Sequence, residues 1–112
     1  MKLPALTRKL VLEDAYRVPD DAGGYATEWR PLGTLWAEIK SGSGREQARN
    51  ELSLSRVSLR ITVRAATMSS PARPHAGQRF RDGERVFPIS AVTERDAEGR
   101  YLICHAQEEV TA

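Results

Sequence analysis

The chain has 112 residues, 40% of them hydrophobic and 29% charged, a length that fits one domain with a core of its own. Seventeen lysines and arginines stand against 15 acids, and a net charge of +2 is too small for a dedicated nucleic-acid binder. The single cysteine, Cys104, excludes an internal disulfide, and no apolar run approaches the ~20 residues that span a bilayer, so no membrane partner is expected.

The first nine residues lack the apolar stretch of a secretory signal. The expectation is a protein made and kept in the cytoplasm, or assembled there into something larger. Thr7 to Glu13 reads as a first strand, with Leu10 and Leu12 on one face and Lys9 and Glu13 on the other. Pro19 to Gly24 is a loop by its turn chemistry. Tyr25 to Trp29 reads as a short strand ended by Pro31. A better strand runs from Thr34 to Lys40, placing Leu35, Ala37 and Ile39 together and Trp36 on the opposite face. Trp36 therefore either caps a barrel end or anchors an interface.

Ser41 to Arg56 is a polar connection too long for a tight turn, and loops of this length inside a small domain are usually functional or disordered. Ser43 and Glu46 have capping-box spacing, and Arg45 to Leu54 holds good helix formers. A helix this short is marginal alone, so a partner is expected to order it. Val57 to Arg64 is the clearest periodic signal. Val57, Leu59, Ile61 and Val63 alternate with Ser58, Arg60, Thr62 and Arg64. A one-residue slip would drive arginines into the core, so the register is firmly set.

Ser69 to Gly77 carries two prolines and reads as a loop. Arg79–Arg81 and Arg85–Ile89 flank Asp82-Gly83-Glu84, a hairpin signal, and Pro88 predicts a bulge or an edge. Ala91–Glu94 and Arg100–Gln107 form a second hairpin around Asp96 to Gly99. Six or seven short strands without a βαβ rhythm predict an all-β protein, a small antiparallel barrel or sandwich. It occupies residues 1–112 as one domain, with 41–56 as a projecting loop and 108–112 as a tail.

No residue constellation points to an enzyme. His75, His105 and Cys104 are the only histidines and cysteine, and they lack zinc-site spacing. Cys104 shares a face with Leu102 and Ala106 and reads as a core thiol. Ser41 to Arg45 resembles a phosphate cradle only in its glycines and lacks the Gly-Lys-Ser/Thr that would complete one. The expectation is no catalytic residue, no metal and no cofactor. From Arg45 to Arg85 nine arginines face four acids. Arg56, Arg60 and Arg64 recur on the wet face of one strand, about 13 Å apart. Such a row either pairs with carboxylates of a neighbouring strand or subunit, or tracks a nucleic-acid backbone. The second option keeps a single-stranded nucleic-acid-binding barrel open as an alternative function.

The order of elements resembles a known family. It runs from a Leu-rich first strand through Gly23-Gly24, Trp29, Leu35-Trp36-Ala37-Glu38-Ile39 and Gly44-Arg45-Glu46. It continues through Ile61-Thr62-Val63-Arg64, Arg79-Phe80, Asp82-Gly83 and Tyr101-Leu102-Ile103-Cys104. The pattern is similar to the head–tail joining family, the head-closure or stopper proteins of tailed phages and gene-transfer particles. The resemblance implies a structural virion protein assembled in the bacterial cytoplasm. It implies a homo-oligomeric ring, a hexamer or dodecamer, between portal and adaptor above and tail terminator or tube below, with double-stranded DNA passing through. By position it also implies that the loop faces the channel or a neighbour, through Gly42, Ser43, Gly44, Arg45, Glu46 and Arg49. Trp36, Arg56, Arg60 and Arg64 are then subunit-contact residues.

Overall fold

A computed structural model describes residues 2–42 and 54–111. Six antiparallel strands are present: β1 (Arg8–Pro19), β2 (Tyr25–Ser41), β3 (Leu54–Arg64), β4 (Arg79–Asp82), β5 (Arg85–Glu94) and β6 (Tyr101–Thr111). They close into a barrel in the order β1-β2-β3-β6-β5-β4, with β4 returning to β1. The all-β expectation holds, and closure selects the barrel over the sandwich.

The alternating strand sets the interior as its pattern requires. Leu59, Ile61 and Val63 of β3 are buried, while Arg60 and Arg64 point out to solvent. Leu10, Leu12, Ala37, Phe80, Phe87, Ile89, Leu102, Cys104 and Ala106 complete the core from the other strands. The chain between β3 and β4 must cross an end of the barrel, and it carries Pro74 into full burial there. Cys104 is buried, and desolvation pushes its thiol up to about 12. At about pH 8, near the ordinary cysteine value, a thiol reagent should therefore label Cys104 only as fast as the barrel opens. Mass spectrometry with and without denaturant reads this, and fast labelling of native protein would contradict a sealed core.

Four expectations are corrected. Pro31 does not end a strand, because β2 runs unbroken from Tyr25 to Ser41. Pro31 stands opposite Glu13, beside a register shift that leaves Leu32 without an opposite residue. A bulge is one of the few sheet positions that tolerates a missing N–H. Ala91–Glu94 is likewise not a separate strand but the second half of β5, past an irregularity at Ser90. The tail expected from Glu108 is strand, since β6 continues to Thr111 opposite Leu54 of β3. The ends of the loop expected over 41–56 are paired, and its middle lies outside the described residues. Ser41 pairs with Leu59, the Gly42 N–H donates to the Ser58 carbonyl, and Leu54 to Arg56 already belong to β3.

Turn chemistry is local and legible. β4 and β5 are joined by Gly83-Glu84, with Gly83 at φ 63 in the first turn position, where a type II′ hairpin needs glycine. The β1–β2 turn is held by Asp20, whose Oδ1 accepts the N–H groups of Ala22 and Gly24 at 2.9 Å each.

Candidate assembly surface

Two surfaces stand out, and both follow from where β2 and β3 part company. β3 meets β2 only over Ala37–Ser41, and β4 meets β1 only over Val11–Glu13. Beyond those contacts β1 and β2 continue together as a two-stranded arm, Asp14–Pro19 against Tyr25–Arg30. Six residue pairs reach about 20 Å from the barrel. Among the described residues no strand pairs with the outer edge of Tyr25–Trp36 or of Asp14–Pro19.

An isolated two-stranded ribbon is marginal in water. This one is fixed at its base by a nearly buried ion cluster. Glu13 is 7% exposed and accepts hydrogen bonds from Arg79 Nε at 2.7 Å and Arg81 Nε at 3.0 Å. Burial pushes the Glu13 carboxyl up, but the hydrogen bonds and charges of the two arginines outweigh it and hold the pKa below the ordinary value. The Arg79 guanidinium also stacks on Trp29 of the arm, 4.0 Å from the ring centre. Gln78 donates to Asp14 at 3.4 Å from the other side. Farther out, Arg17 lies 4.6 Å over Tyr25 and Arg30 5.5 Å over Tyr16.

Several aromatic side chains lie outside the core. Tyr16, Tyr25 and Trp36 are exposed, Tyr25 by 63% and Trp36 by 55%. A two-stranded arm has no opposing layer to cover its rings. Trp36 does not plug the barrel end: it stands on the outer wall opposite Lys9. Alternation breaks at the Glu13 bulge, so the sequence pattern does not carry β1 on to Tyr16, and Tyr25 reads only as the start of a short strand. The signal that could have found them is the pair of aromatic-bearing segments at matched distances from the Asp20–Gly24 turn.

The second surface is the outer face of β3. Arg56, Arg60 and Arg64 are all exposed there. Their cross-strand neighbours differ. Arg56 stands opposite Glu109. Arg64 lies 5.5 Å over the Tyr101 ring. Arg60 has Lys40 opposite it on one side and His105 on the other. Like charges directly across a ladder repel; Lys40 has Glu38 at 3.9 Å to offset this, and neither residue directly across from Arg60 is a carboxylate. A concavity of about 660 Å³ opens beside the row, lined by Arg60, His105, Ser58 and Gln107 and also by the core residues Leu59 and Ala106. The structure thus brings Arg56, Arg60 and Arg64 into one row and sets Trp36 apart, one residue beyond the β2–β3 pairing. Gly42 lies at the edge of the concavity, whereas Ser43, Gly44, Arg45, Glu46 and Arg49 lie outside the described residues.

His75 is exposed in the loop before β4, and His105 Nε2 sits 3.1 Å from the Thr93 hydroxyl. Among the described residues no three His, Cys, Asp or Glu side chains gather as metal ligands.

The family model described as phage head completion protein matches residues 1–109. Among solved structures, a chain from the virion of a native gene transfer agent particle is 51% identical. That match covers 98% of this chain and 100% of the other, with a TM-score of 0.84. The solution structure of protein SF1141 from Shigella flexneri 2a is 22% identical over 96% of both chains, with a TM-score of 0.66, a likeness of fold alone. No curated protein matches the chain.

Proposed function

Since this chain belongs to the phage head completion protein family, we propose that it forms a homo-oligomeric ring between the portal–adaptor complex and the tail, joining head to tail. It is a component of a phage-like particle, and its role there is structural. The observation that carries the reading is the match over residues 1–109, which takes in the whole barrel and the arm. Two surface features support it. A ribbon with unpaired edges and exposed rings gains from a neighbour, and so does a basic row in which, among the described residues, no carboxylate stands directly across from Arg60.

Double-stranded DNA passes through the ring. Residues between β2 and β3 face the channel and help close it, an assignment supported by their position between two adjacent wall strands. Trp36, Arg56, Arg60 and Arg64 lie at contacts between subunits. The nucleic-acid-binding alternative draws no support from the barrel wall, because no exposed aromatic interleaves the arginines of β3.

Electron microscopy tests the ring. Purified protein added to its portal–adaptor complex should appear as an extra ring of density below the adaptor. Absence of association at every ionic strength would overturn the reading. Limited proteolysis tests the channel segment: cleavage after Arg45 or Arg49 in the free protein should vanish on assembly.

A further inference from the structure

The arm and the basic row are complementary in charge. Residues 14–30 carry four carboxylates, Asp14, Asp20, Asp21 and Glu28, against two arginines. Two of those acids sit side by side at the tip. β3 carries three arginines and no acid. We propose that the acidic tip of the β1–β2 arm of one copy seats on the outer face of β3 in the next copy, at the concavity between Arg60 and His105, so that each subunit reaches its neighbour head to tail. This rests on the ring reading above and adds which surfaces meet.

The geometry rules out the wall of the same molecule. β2 is one continuous strand from the tip to the barrel, so the tip points away from its own molecule. Arg64 lies level with Trp36, well past the base of the arm at Arg30, because Val63 stands opposite Ala37, and Arg60 lies farther still from the tip. The contact is therefore heterologous, an arm on a wall, and such contacts close into rings when the rotation permits. The chemistry suits both sides. Lys40 and Arg60 stand directly across from each other, Lys40 has Glu38 of its own strand at 3.9 Å, and a carboxylate from outside gives Arg60 the partner that its cross-strand neighbours do not supply. The tip presents its acids in a fixed shape, since Asp20 is tied to the turn backbone and Asp21 is held at φ 62. Tyr25, opposite Pro19 at the end of the arm, supplies an exposed ring of the type that anchors interfaces.

The test uses one chain with two cysteines, Asp21→Cys and Arg60→Cys, assembled into particles and treated with a short bis-maleimide. Buried Cys104 stays silent. A head-to-tail contact gives a ladder of covalent multimers extending past the dimer on a denaturing gel. Either single variant stops at the dimer or below. If the double variant also stops at the dimer, or if D21C couples to a different virion protein, the proposal is overturned while a ring seen by microscopy still stands. Particles without any ring of this chain overturn both readings. A second measurement guards against a poorly folded cysteine variant. Asp21→Arg should lower incorporation into particles about tenfold, because like charges then meet. Adding Arg60→Asp in the same chain should recover it, and failure of that recovery on a folded double variant overturns the contact.

Discussion

Replacing Glu13 with glutamine should lower the stability of the isolated protein by about 3 kcal/mol, within the range for breaking one partner out of a buried ion pair. The carboxylate is nearly buried and answers two arginines, so its loss leaves two guanidinium charges partly desolvated against a neutral amide. For a chain of this size that loss lowers the melting temperature by roughly 10–20 °C. The cluster also sets a pH dependence. The folded-state pKa of Glu13 lies below its ordinary value of 4.5. Its stabilisation is therefore complete above that value and is lost as the pH falls through the folded-state value. Glu108 behaves alike, its pKa lowered by hydrogen bonds from Arg85, with Arg85 Nε at 2.8 Å. Denaturant titrations across this acid range should show a shallower loss for E13Q than for the parent. A parallel pair of curves would remove Glu13 from the account. Because Glu13 also anchors the arm through Arg79 and Trp29, amide exchange in Asp14–Pro19 should quicken in the variant more than exchange in β6.

Phe80→Ala should cost about 3–5 kcal/mol, a large share of the 5–15 kcal/mol that a domain usually has. β4 is only four residues long and is the strand through which the barrel closes. Phe80 stands opposite Leu12 on one side and Phe87 on the other, all fully buried. Removing the ring leaves a cavity at the seam, where three residue pairs hold β1 to β4. The expected signature is a lower denaturant midpoint together with faster exchange of β4 amides. Preserved midpoint and exchange would show that the seam collapses around the gap. Phe80 and Glu13 lie on opposite faces of one short ladder, so their effects should not add, and a double-mutant cycle measures the coupling.

The sequence by itself determined the wall. Alternation in Val57–Arg64 assigned each side chain to a face, because a period of two leaves one choice of register once arginines must stay wet. The same logic placed Leu10, Leu12, Ala37 and Cys104 inward and Trp36 outward, and the order of short motifs along the whole chain pointed to the family. Turn residues marked the Gly83 hairpin correctly because that signal is local. Tertiary structure alone decided the closure, the arm and the meeting of charges. Closure depends on Phe80 finding Leu12, far away in sequence, which no local pattern encodes. The arm was hidden by the bulge at Glu13 and Pro31, where alternation breaks and a proline that reads as a stop is accommodated. Arg60 looked like one of three equivalent arginines. Only the register that sets Lys40 and His105 on either side of it distinguishes the position where a carboxylate from outside is wanted.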